Sequence, residues 1–145
     1  MLGKIRLTDA EMKYIALFES VTGATVLDCI LDEKRGSVII VVKKGDMGLA
    51  IGKKGAHIRL LQRITGKNID VIEYHDDPKE FIINALKPAR VHDIKFMERM
   101  NGDKISIVKV DVRDKGIAIG KNGQNIEKIR LLARRYFQLQ TVVIV

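Results

Sequence analysis

The chain has 145 residues, 46% apolar and 30% charged, enough for one medium domain or two small ones of about 70 residues and too apolar for intrinsic disorder. No apolar run approaches the roughly 18–20 residues that cross a bilayer, and the single cysteine, Cys29, excludes disulfide frameworks and Cys-based zinc sites. A net charge of +8 and a pI near 9.7 favour an anionic partner over a neutral one.

In chain order, the N-terminus reads Met-Leu-Gly-Lys-Ile-Arg and turns polar without the apolar core of a signal peptide, so a cytoplasmic protein is expected. Thr8 and Asp9 cap a predicted helix that runs to about Val21, with Met12, Ile15, Ala16 and Leu17 as its apolar positions and Gly23 as its stop. Thr25–Asp32 reads as a strand with Cys29 as a small core residue, Glu33–Gly36 as a hairpin turn, and Ser37–Val42 as a second, β-branched strand. A Gly-rich segment from Gly48 opens a helix with Ile58, Leu61 and Ile64 on one stripe, and Asn68–Tyr74 reads as a third strand. Asp77 then caps, and Pro78 begins, a helix carrying Phe81, Ile82, Ala85 and Leu86, with Pro88 beyond its end. Arg90–Arg99 and Ile105–Val110 are predicted strands around a turn at Asn101-Gly102. A second Gly-rich segment leads into a helix with Ile126, Ile129 and Ala133, and Leu139–Val145 closes the chain as a strand.

This order is one pattern written twice. Gly48–Ile58 is GLAIGKKGAHI and Gly116–Ile126 is GIAIGKNGQNI, an offset of 68 with seven of eleven positions identical. Each copy reads helix, strand, strand, helix, GxxG turn, helix, strand, which gives an α+β chain with domains at 1–75 and 76–145 and no long Pro/Gly/Ser linker between them. Charge follows the repeat. Lys43–Lys67 is net +6 and Lys109–Arg135 net +5, so both concentrations of positive charge surround the same motif.

The motif has a physical reading. Gly52, Gly55, Gly120 and Gly123 permit backbone angles and close approaches that a side chain forbids. The helix after each turn aims unpaired N–H groups at whatever docks there, for which a phosphate is the natural guest. Lys53, Lys54, Lys121 and Asn122 stand between the glycines. Arg59 and Arg63, at i and i+4, extend a basic track along the first helix, and Arg130 and Arg134 have the same spacing in the second copy. Ile51, Ile58, Ile119 and Ile126 read as core positions rather than contacts, with the edge of an apolar groove as the alternative for some of them.

I-G-x-x-G-x-x-I within this element order resembles the KH domain, whose GxxG loop clamps about four nucleotides of single-stranded nucleic acid. A helix and a strand ahead of that core resemble the type II arrangement, a three-stranded sheet packed on three helices. Two such units over residues 1–145 resemble the NusA family of transcription termination and antitermination factors in its short archaeal form. The resemblance implies single-stranded RNA as partner, held by Gly52, Lys53, Lys54, Gly55, Arg59, Arg63, Gly120, Lys121, Asn122, Gly123, Arg130 and Arg134. It also implies bases lying in an apolar groove beside the loop, and RNA polymerase or the elongation complex as a further partner. No cofactor or metal is implied, and 145 residues leave no room for the polymerase-binding and S1 domains of the longer bacterial pattern.

Other readings fit less of the sequence. An enzymatic P-loop fails because Lys54 and Asn122 stand where GxxxxGK[ST] places Ser or Thr. His57, His75 and His92 are unclustered and read as surface or loop histidines, and Asp76-Asp77 as a link and cap, so no enzyme is expected. Aromatic residues are 5% of the chain, too few for recognition by broad base stacking. Another type II KH RNA-binding protein, or a KH-type protein-interaction module, remains the alternative.

Overall fold

The computed structural model describes residues 5–145, and the part of the N-terminal reading that rests on residues 1–4 lies outside them. The described chain divides between His75 and Asp76 into two compact units. Each is α+β, as expected, with three helices and a three-stranded sheet.

In the first unit, α1 (Asp9–Thr22) starts at a full capping box: the Thr8 amide donates to Glu11 Oε1 at 2.8 Å and the Glu11 amide to Thr8 Oγ1 at 3.2 Å. Gly23, at φ 75°, ends it. The helix packs through Tyr14, Ile15, Leu17, Phe18 and Val21, centred on buried Phe18. Met12 and Ala16, expected on that face, are exposed; Met12 lies six residues from Phe18, about 120° round the helix. Strands β1 (Val26–Asp32) and β2 (Ser37–Val42) form an antiparallel hairpin, and β3 (Asn68–Glu73) pairs parallel to β2, giving the order β1-β2-β3. Cys29, Val38, Ile40 and Val42 bury one sheet face against Phe18, Ala50 and Leu61. Each such aliphatic side chain contributes about 1.5–3 kcal/mol on full burial.

The parallel β2–β3 pair needs a crossover, and α2 (Met47–Ile51), the GxxG turn and α3 (Ala56–Thr65) supply it. Within α3, Leu61 is buried and Ile58 half-buried, but Ile64 is 54% exposed and not part of the core stripe.

The second unit repeats this plan with α4 (Pro78–Leu86), β4 (Val91–Glu98), β5 (Lys104–Val110), α5 (Lys115–Ile119), α6 (Gln124–Phe137) and β6 (Thr141–Ile144), in the sheet order β4-β5-β6. Asp77 accepts from the Lys79 amide at 3.0 Å, and Pro78 is the first helical residue. Phe81, Ile82, Ala85 and Leu86 are all buried, and Phe81 meets Tyr136 edge-on at 5.4 Å. One element differs in length: α6 has 14 residues where α3 has 10. Ser37 pairs with Asn68 and Ile105 with Thr141, so the offset of 68 at the second strand becomes 73 at the third, and the strict repeat ends within the helix.

Candidate nucleic-acid interface

Both GxxG segments are tight turns joining a one-turn helix to a long one. Gly52 and Gly120 adopt φ/ψ of 74°/174° and 79°/168°, a region open essentially to glycine alone. Gly55 and Gly123 are left-handed at φ 75° and 73°. The amide of the second glycine donates to the carbonyl of the first, at 3.1 Å in each copy. The glycines alone do not make the turn: Lys54 and Asn122 are also left-handed, at φ 54° and 55°, which nothing in the repeat signalled beyond the small polar Asn122.

The first turns of α3 and α6 receive no side-chain cap; their first amides, of Ala56 and Gln124, donate instead to the Lys53 and Lys121 carbonyls within the turn. Lys53, Lys54, Lys121 and Asn122 are exposed beside them. Arg59 bends back to donate to the Lys54 carbonyl and buttresses the turn rather than reaching along the helix. Arg63 is exposed on the same helix. The second copy places its arginines differently: Glu127, not an arginine, holds the position 68 residues after Arg59. Arg130 Nε donates to the Val142 carbonyl at 3.0 Å and Arg134 Nη2 to the Gln140 carbonyl at 3.3 Å, tying α6 to β6 and the turn before it. The shared i, i+4 spacing thus joins residues that are not equivalent in the repeat.

Beside the first turn lies an open groove of about 360 Å³, lined by Met47, Ile51, Ile58, Ile69 and Val71 together with Gly55 and Arg59. It runs from α2 and α3 to β3, an edge strand of its sheet. Ile51 is 36% and Ile119 40% exposed, which corrects their reading as core; Ala50 and Ala118, each beside them, are the fully buried residues of those short helices. Ile58 is half-buried on the groove wall and Ile126 is buried.

Two aspartates missed in the sequence anchor these short helices. Asp46 and Asp114, the repeat partners just before α2 and α5, each accept from the amide leading into the first strand of their sheet: Thr25 N at 2.8 Å and Arg90 N at 2.9 Å. Their identity at the same offset of 68 was the available signal. In the second unit the anchor is ionic. Arg90 also gives Nε to Asp114 at 2.8 Å, while Asp111 accepts from Arg113 Nε at 3.0 Å and lies 3.2 Å from His92 Nε2. His92 is thus a strand residue engaged with a carboxylate.

Hydrogen bonds from the Arg113 side chain and amide hold Asp111 far below the usual carboxylate range; those from Arg90 lower Asp114. A depressed folded pKa stabilises the fold above the unfolded Asp value, about 3.9, and that contribution is lost as pH falls through the folded pKa. The thermal midpoint of the second unit is therefore expected to stay level above about pH 5 and to fall progressively below about pH 4. Asp114→Asn should lower the midpoint at pH 7 and flatten its acid dependence; circular-dichroism melts across pH check both.

Among the described residues, no helix is long and apolar enough to cross a membrane and no group of three or more His, Cys, Asp or Glu side chains is placed to hold a metal ion.

Comparison with known proteins finds KH domains along the chain. The family described as "NusA-like second KH domain" matches residues 78–143, and the family described as "KH domain" matches residues 13–95. A "Probable transcription termination protein NusA" of Halococcus morrhuae is 37% identical over 139 residues, covering 96% of this chain and 97% of that protein. The protein of the same description from Methanocaldococcus jannaschii is 31% identical over 144 residues, 99% of this chain and 77% of that one. A solved structure titled "Crystal structure of APE1850" superposes with a TM-score of 0.83 at 40% identity, covering 96% of this chain and 100% of that chain.

Proposed function

The chain belongs to the NusA family in its short archaeal form, built on KH domains, and from that premise we propose that it binds single-stranded RNA through both GxxG turns, on nascent transcripts during termination or antitermination. One observation carries the reading. Lys53, Lys54 and Lys121 stand at the N-terminal ends of α3 and α6, where the helix dipole disfavours cations by about 0.3–1 kcal/mol each. A local rule broken twice at equivalent positions fits a site completed by an outside anion.

In this reading the backbone passes over Gly52-Lys53-Lys54-Gly55 and Gly120-Lys121-Asn122-Gly123. Phosphate oxygens accept from first-turn amides of α3 and α6 beyond those of Ala56 and Gln124, which donate to the Lys53 and Lys121 carbonyls, and the lysine ammonium groups neutralise them. The glycines let the sugar–phosphate chain come close. Bases of the segment at the first unit lie on the aliphatic wall of Ile51, Ile58, Ile69 and Val71, with Arg59 and the edge groups of β3 as polar readers. Arg63 extends the positive field along α3. Arg130 and Arg134, with donors committed to β6 and the turn before it, add charge to the second unit more than direct contacts. The elongation complex, with RNA polymerase, is the setting in which such a transcript is met.

Titrating a labelled, unstructured RNA of about ten nucleotides at several salt concentrations tests the proposal. Four to six neutralised phosphates give a slope of log K against log[salt] of about −3 to −4, and the same RNA in a duplex should bind more weakly. A flat response would refute phosphate clamping and favour a protein-interaction role for the same fold.

A further inference from the structure

We infer that His57 in the first unit and Asn125 in the second are the positioning residues of the two GxxG turns. They are unlike in type yet equivalent in the repeat, 68 residues apart, in the first turn of α3 and of α6. Their side chains do one job. The His57 ring has Nδ1 2.7 Å from the Leu49 carbonyl; a carbonyl only accepts, so Nδ1 carries the proton. Asn125 Nδ2 donates to the Ala118 carbonyl at 2.9 Å and reaches the Ile117 carbonyl at 3.4 Å. Leu49 and Ile117 are themselves repeat partners, in the short helices α2 and α5, which end too soon to satisfy their own last carbonyls. In both copies, then, the long helix reaches back across the turn and takes up a carbonyl that the short helix leaves open.

The same residues support the first glycine from beneath. A Cβ built on Gly52 would lie 2.6 Å from His57 Cγ, and one built on Gly120 would lie 2.8 Å from Asn125 Cβ. The turn is thereby fixed on two sides, by a hydrogen bond to the helix before it and by direct packing under its first residue. Two different side chains meeting both conditions argue for the bridging geometry itself, an N–H donor about one side chain's length from the start of the helix, and against an incidental contact. What the bridge sets is the spacing between the short and the long helix, and hence the direction of the amides at the turn. The inference rests on the RNA-binding reading only where it extends to affinity.

The experiment compares the intact chain with His57→Ala, His57→Asn, Asn125→Ala and Asn125→His. Amide hydrogen exchange at Gly52, Gly55, Gly120 and Gly123 is read by NMR without RNA, alongside thermal melts and titration with the labelled ten-nucleotide RNA. His57→Ala should speed exchange at Gly52 and Gly55 about threefold to tenfold, the scale of one net hydrogen bond, with Gly120 and Gly123 unchanged. Asn125→Ala should do the reverse. His57→Asn and Asn125→His, each installing the other copy's residue, should restore slow exchange. Unchanged exchange in the alanine variants, or no rescue by either exchange of residues, overturns the inference. Faster exchange with undiminished RNA affinity upholds the positioning role and counts against the turn as the RNA clamp.

Discussion

Alanine at Gly52 or Gly120 is expected to destabilise the unit that carries it by about 1–3 kcal/mol and to weaken RNA binding by about tenfold or more, whereas alanine at Gly48 is expected to be neutral or stabilising by up to about 1 kcal/mol. Gly52, Gly120, Gly55 and Gly48 separate cleanly. Gly52 combines φ 74° and ψ 174° with a Cβ site 2.6 Å from the His57 ring, and Gly120 a Cβ site 2.8 Å from the Asn125 backbone nitrogen, so at the second of these neither the residue nor its neighbour can yield. Gly55 is left-handed, but its nearest neighbour is the Arg59 side-chain end at 3.2 Å, which can swing away; alanine there should cost about 1 kcal/mol. Gly48 lies in α2 with open space around it. At about 4–8 °C of melting temperature per kcal/mol for a domain of this size, circular-dichroism melts resolve the order. Gly52→Ala melting and binding like Gly48→Ala would show that the turn tolerates rearrangement.

Paired aspartates should separate binding from folding. Lys53 and Lys54 are exposed, aspartate accepts the left-handed backbone at position 54 more readily than lysine, and negative charge suits a helix N-terminus. The Lys53→Asp, Lys54→Asp variant is expected to fold with a change within about ±0.5 kcal/mol. RNA affinity is expected to fall at least about tenfold, with a salt slope shallower by about 1.4 if two phosphate contacts go. Lys121→Asp with Asn122→Asp should act in the same direction on the second turn. If both variants fold normally and bind as tightly as the parent, the turns do not hold RNA.

Much of this arrangement was legible in the sequence because the chain prints its plan twice. The repeat, the element order, the Thr8 and Asp77 caps and the buried face of α4 follow from local signals that depend on a few adjacent residues. Groove and support were less legible, since they depend on which residues meet across a turn or a sheet. Ile51 and Ile119 look like core residues by type, yet the one-turn helices give their buried side to Ala50 and Ala118. Arg130 and Arg134 share a spacing with Arg59 and Arg63, but they lie on the longer α6 and bond to β6 and to the turn before it. His57, read as a surface histidine, is engaged by a carbonyl eight residues before it, a contact that appears only once the chain has turned back on itself.

Positions 54 and 122 share a backbone angle that suits only a short alphabet of residues; the second copy has picked a letter from it and the first has not. Lysine in that conformation forgoes roughly 1–2 kcal/mol and gains a cation; asparagine rests there comfortably and gives the cation up. A Lys54→Asn exchange would rewrite the first turn as Gly-Lys-Asn-Gly, the spelling of the second. The two halves thus stand at opposite ends of one exchange between foldedness and grip, and if the turn holds RNA as proposed, a thermally hardened version of this protein made by relaxing position 54 is expected to bind more weakly for the same reason.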